Sequence, residues 1–163
     1  MHDAERLFTA HAPALYRYLV RLTADADLAA DGVQTTFVRL IERPPAGELE
    51  RAWLFKVATN VVLGELRAGS RRARILRGNA GRAPIADPPA SPLEQVESRE
   101  RHERALRALS TLSEKERSAV LMREEGFSHR EIAEAVGTTT GSVGTLIARA
   151  LLKFADAVGE MRP

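Results

Sequence analysis

Two sets of residues in this chain have the types and spacing to engage a polyanion. One lies in SHREIAEAVGTTTGSVGTLIARALLKF, residues 128–154. Its hydroxyls at Thr139, Thr140, Ser142 and Thr145 can reach phosphate oxygens or base edges, and Arg149 and Lys153 suit phosphates. The other set lies in the first half. There Trp53, Lys56, Asn60 and Arg67 combine an aromatic face, two cations and an amide, followed by Arg71, Arg72 and Arg74. An aromatic ring can stack on an unpaired base while cations hold the strand's backbone. Plainer roles stand beside these: Trp53 as a core anchor, Asn60 as a hydrogen-bonded helix residue, the cations as a solvated face.

Bond-making chemistry has no comparable support. The four histidines, His2, His11, His102 and His129, are scattered without a ligand pattern. No phosphate loop, metal cluster or nucleophile–base set appears, so no catalytic residue, metal or cofactor is expected. The absence of cysteine excludes disulfides and thiolate metal sites. MHDAERLF lacks the basic-then-apolar layout of a signal peptide, and no apolar run approaches the ~18 residues of a membrane span. A cytoplasmic protein without membrane insertion is the expectation.

The elements that must position these residues read as helices. Ile132 and Val136 lie four apart, Ala133 is small where a second helix must cross, and Gly137 supplies a left-handed stop. Val143, Leu146, Ile147, Ala150 and Phe154 then recur at helical spacing, from Thr140 to about Val158. This is a helix-turn-helix pattern, whose second helix enters the major groove of duplex DNA. Its outward face carries Ser142, Gly144, Thr145, Ala148, Arg149 and Lys153. That face lacks Asn and Gln, which with Arg give the bidentate base contacts worth ~1–3 kcal/mol each. Gly144 also costs the helix ~1 kcal/mol relative to Ala. The motif alone predicts weak DNA binding.

Two Ser-x-x-Glu capping boxes, Ser113/Glu116 and Ser128/Glu131, mark helix starts. A charged helix from about Leu93 to Leu109 precedes them. In the first half, Leu7, Phe8, Leu15, Leu19 and Leu22 mark one apolar face. Asp25 or Asp27 can cap a second helix carrying Leu28, Val33, Phe37, Val38 and Ile41, which Pro44 and Pro45 stop. A third helix is read over roughly Glu48–Arg74, with Trp53, Leu54, Val57, Ala58, Val61, Val62 and Leu66. The fold class is all-α.

Charge locates the boundary. Residues 1–67 carry eight basic and nine acidic residues, 68–91 five and one, and 92–163 eleven and twelve, giving −1, +4 and −1 for the net +2. The basic segment also holds Pro84, Pro88, Pro89 and Pro92, with Gly69, Gly78 and Gly81. The expected organisation is two small helical domains, 1–74 and 93–163, joined by a flexible linker at 75–92.

In order along the chain, three segments resemble the extracytoplasmic-function sigma factors, small two-domain initiation factors of bacterial RNA polymerase. They are YRYLVRLTADADLAADGVQTTFVRLIE, RAWLFKVATNVVLGELR and ALRALSTLSEKERSAVLMREEGFSHREIAEAVGTTTGSVGTLIARALLKF. The resemblance implies that Asp31, Gln34 and Phe37 belong to the surface docking on core polymerase. It implies that Trp53, Lys56, Asn60, Arg67, Arg71 and Arg72 face the minus-10 element, with Asn60 and the loop 43–50 forming a base pocket. It assigns Arg130, Thr139, Thr140, Ser142, Thr145, Arg149 and Lys153 to the minus-35 element. Core RNA polymerase, promoter DNA and an anti-sigma factor are the implied partners. The chain departs from the family at Gly144 and Leu146, where basic residues are common, and at Gly32 and Thr35. The alternative is a stand-alone helix-turn-helix regulator, and a poor recognition face argues against it.

Overall fold

The computed structural model describes residues 3–47, 50–68 and 92–160. Among these there are seven helices and no strand. In the first half, α1 is Ala4–Thr23, α2 is Ala26–Glu42 and α3 is Glu50–Arg67. The second half holds α4 (Pro92–Ser110), α5 (Glu114–Glu124), α6 (His129–Val136) and α7 (Thr140–Glu160). Residues 69–74, read as the end of the third helix, lie outside the described residues, as do Arg71, Arg72 and the rest of the linker through Ser91.

Local chemistry sets the helix ends. The Asp25 carboxylate accepts from the Leu28 amide and starts α2. Just before it, Ala24 takes a left-handed conformation at φ 55°, unusual for a residue with a Cβ, so that its amide can close α1 on the Val20 carbonyl. Both capping boxes form. The Ser113 hydroxyl accepts from the Glu116 amide while Glu116 Oε2 accepts from the Ser113 amide. Ser128 and Glu131 do the same at α6. Phe127 precedes that cap and is buried with Ile132, the positions of a hydrophobic staple. Gly137 ends α6 at φ 72°.

α1, α2 and α3 pack around Leu15, Leu19, Leu22, Leu40, Leu54 and Val62. Gly32 is where α2 crosses closely: a Cβ there would lie 2.5 Å from Val62 Cγ1 and 3.1 Å from Leu19 Cδ1. The departure at Gly32 is therefore a packing requirement. Three residues read as core face are instead substantially exposed: Phe8 at 50%, Val38 at 47% and Ile41 at 68%. In the second half, Val143 and Ala150 of α7 are fully buried, and Leu146, Ile147 and Phe154 pack beside them.

The halves pack against each other through one connected apolar core. Phe127 inserts toward α3, 4.8 Å from the Phe55 ring, which lies 5.0 Å from the Tyr18 ring. Thr59 donates to the Phe55 carbonyl, so the Tyr18 hydroxyl is the donor in its 2.8 Å bond to Thr59 Oγ1. Burial pushes the Tyr18 phenol up to about 12, against the Thr59 hydrogen bond, which lowers it. It is neutral throughout the physiological range.

Candidate nucleic-acid interface

Three of the first-half residues share a groove of about 480 Å³ between α2 and α3. Asp31 and Gln34 come from α2, and Asn60 from α3 faces the same space. All three are exposed. Gly64 also lines the groove, and no atom lies within 4 Å of where its Cβ would be. Phe37 does not share this surface. It is 6% exposed and meets Phe8 edge-on at 5.0 Å, so it shapes α2 from within. Its ring is core, so any part it has in docking is indirect, through the shape it gives α2.

Trp53 and Lys56 occupy a separate pocket of about 210 Å³. Pro45, Ala46 and Gly47 of the α2–α3 loop form one wall, and Glu131 and Glu134 of α6 form another. Trp53 is half-buried against the core, so both its anchoring and its stacking roles fit, whereas Lys56 is exposed. Arg67 is committed elsewhere: its guanidinium donates to Glu114 Oε2 at 2.6 and 3.2 Å.

The second-half residues divide as well. Arg130, Thr140, Thr145 and Arg149 are exposed on the helix-turn-helix. The Thr139 and Ser142 hydroxyls pair with each other at 2.7 Å at the start of α7, a local cap rather than two free contacts. Lys153 is exposed but engaged. Its ammonium donates to Glu116 Oε1 at 2.7 Å. The Lys153 hydrogen bond, with the Ser113 amide, holds the buried Glu116 carboxyl below its ordinary value. Helical spacing places Lys153 outward, and its side chain is half exposed while its ammonium is held by the buried Glu116 carboxylate. Gly144 has only His129 Cε1 near its missing Cβ, at 3.8 Å, so a side chain would fit there.

Sequence reasoning misses the residues that join the halves. Arg51 Nη2 donates to the Glu125 carbonyl at 2.6 Å and lies 3.7 Å from its carboxylate. The same guanidinium stands 4.1 Å over the Phe127 ring and 5.4 Å over Phe55. Arg117 donates to the Leu109, Leu112 and Leu22 carbonyls, tying the α4–α5 turn to the end of α1. Arg21 pairs with Glu124 at 3.4 Å. The one local signal for this set is Phe127, an aromatic directly before a capping serine.

Among the described residues, no group of three or more His, Cys, Asp or Glu could hold a metal ion. No helix there is long and apolar enough to cross a membrane.

Comparison with known proteins fits this geometry. Residues 7–72 match the family described as Sigma-70 region 2, and residues 102–154 match Sigma-70, region 4. The ECF RNA polymerase sigma factor SigL of Mycobacterium tuberculosis is 35% identical over 143 residues, covering 84% of this chain and 78% of that protein. The RNA polymerase sigma factor CarQ of Myxococcus xanthus is 32% identical over 160 residues, covering 96% and 90%. The sigma factor RpoE from Bartonella quintana, solved in complex with the anti-sigma factor NepR, has a similar fold. Its TM-score is 0.72 at 23% identity, covering 99% of this chain and 100% of that one. With a region 2 in its first half and a region 4 in its second, the chain belongs to the extracytoplasmic-function sigma factors of RNA polymerase.

Proposed function

We propose that this sigma factor works in the cytoplasm as a two-handed promoter reader that performs no bond chemistry itself. Its first domain, residues 1–74, docks on core polymerase through Asp31 and Gln34 and captures the minus-10 strand. Trp53 and Lys56 offer a stacking face and a phosphate partner, and Asn60 reads a base edge. Its second domain, residues 93–163, holds the minus-35 duplex through Arg130, Thr140, Thr145 and Arg149. The basic linker at 75–92, with Arg71 and Arg72 before it, tracks nucleic acid or polymerase between them. An anti-sigma factor is a further proposed partner, as for the RpoE of similar fold.

The α2–α3 groove supports this reading most directly. Asp31 and Gln34 on one wall and Asn60 on the other let a docked polymerase surface and an extruded base share one site. The weak recognition face of α7 supports it too, since a lone operator-binding regulator needs more base contacts than this helix offers.

The test is transcription with purified core polymerase. Asn60→Ala is expected to impair promoter opening or minus-10 selectivity more than core binding. Unchanged selectivity would reject the base-pocket role. Tight, polymerase-independent binding of a duplex in gel shifts would favour the stand-alone regulator instead.

A further inference from the structure

An apolar groove of about 490 Å³ opens among α4, α5 and α7. Its floor is made by Leu106 and Leu109 of α4, Leu121 of α5, and Ile147, Leu151 and Phe154 of α7. Leu109 and Leu121 are buried, Leu106, Ile147 and Phe154 are half-buried, and Leu151 is 49% exposed. The three helices leave this apolar wall partly in water, at a cost that scales with its area. The volume falls in the range of small-ligand sites, ~300–1,000 Å³, which are mostly apolar with a few polar groups that orient the ligand.

The polar lining is four side chains: Arg21 at the end of α1, His102 of α4, and Arg123 and Glu124 of α5. Arg21 and Glu124 pair with each other at 3.4 Å, so their charges cancel. Among the described residues, the Arg123 and His102 side chains have no hydrogen-bond or ion-pair partner. Arg123 is exposed, whereas His102 is half-buried. A half-buried imidazole without a partner leaves a donor and an acceptor unused. The groove thus sets one uncancelled guanidinium and one idle imidazole beside an apolar floor. A planar, singly charged carboxylate suits that set: a guanidinium fork donates two parallel hydrogen bonds to it, and an imidazole N–H supplies another. A dianionic phosphate would leave one negative charge unmatched near Glu124.

We infer that this groove is a binding site for a medium-chain fatty acid, with the tail on the Leu106, Ile147 and Phe154 floor and the carboxylate on Arg123 and His102. The site uses no residue assigned above to polymerase or DNA, so it stands or falls apart from the promoter-reading proposal.

Calorimetric titration of the full chain with decanoate, below its micellar range, tests the site. Saturable binding is expected, roughly fifteenfold weaker for octanoate at about fourfold per methylene lost. Decanol, with the same chain length and no charge, should bind roughly tenfold more weakly than decanoate, the scale of one charge-assisted contact. Arg123→Ala should abolish that preference for the acid over the alcohol. Leu151→Gln, a change at an exposed position that leaves the fold intact, should weaken both ligands. Equal affinity for acid and alcohol, or a preference that survives Arg123→Ala, overturns the carboxylate assignment. Absence of saturable decanoate binding, or an affinity unmoved by Leu151→Gln, overturns the site itself. A concentration-dependent dimer that Leu151→Gln abolishes, with no decanoate binding, would give the groove to a second copy of the chain instead.

Discussion

Gly32→Ala tests whether the α2–α3 crossing is as tight as its geometry implies. Carbon atoms in favourable contact sit ~3.5–4.0 Å apart. The new Cβ would lie 2.5 Å from Val62 Cγ1, an overlap of roughly 1 Å, with Leu19 Cδ1 at 3.1 Å behind it. Val62 and Leu19 are both fully buried, and valine has no long stem to swing aside. Overpacking of this kind costs ~1–3 kcal/mol, while Ala in place of Gly gives the helix back ~1 kcal/mol. The net expectation is a loss of about 1 kcal/mol. Gly64→Ala is the control: it lies on α3 with nothing within 4 Å, so only the helix gain of ~1 kcal/mol remains. The two variants should differ by about 2 kcal/mol, which at a urea slope of ~1–3 kcal/mol/M is a midpoint difference of roughly 1 M. Val62→Ala removes the clashing methyls and should couple to Gly32→Ala in a double-mutant cycle by ~1 kcal/mol. Equal upward shifts for both glycine variants, or no coupling to Val62, would refute the reasoning.

Three further outcomes follow from the geometry. Ala24→Gly relieves a left-handed residue at φ 55° and should stabilise the chain by ~1 kcal/mol in the same urea titration. Arg149→Ala should flatten the salt dependence of duplex binding by about one unit of slope, whereas Lys153→Ala should leave that slope alone and cost roughly 1 kcal/mol of stability, its side chain being half exposed against a buried Glu116. Because Glu116 is held below its ordinary 4.5, its stabilising contribution is complete above that value and lost as pH falls through the depressed folded value. Urea midpoints measured on the acid side should therefore fall less steeply for Glu116→Gln than for the unmodified chain.

Features governed by neighbours in sequence were legible without a structure. Both capping boxes, the Gly137 stop and the α7 core positions obey rules spanning three or four residues, and they form as read. Periodicity could not distinguish a core from an uncovered surface, so Phe8, Val38 and Ile41 read as buried. The Lys153–Glu116 pair joins residues 37 apart, beyond any helical pattern. The contacts between the halves lie further still. Arg51 meets Glu125 across 74 positions, and Arg117 meets Leu22 across 95. A surface arginine and an arginine that staples two helices carry the same letter. Phe127 alone offered a local hint, and its partner Phe55 sat unremarked among the apolar residues of α3.

Transcription by purified core polymerase, with start sites mapped by sequencing, tests the central claim most directly. Discrete starts are expected only when this chain is present, with shared elements near minus-10 and minus-35. Asn60→Ala should blur the first element and Arg149→Ala should weaken use of the second. Starts indistinguishable from those of core polymerase alone would contradict it.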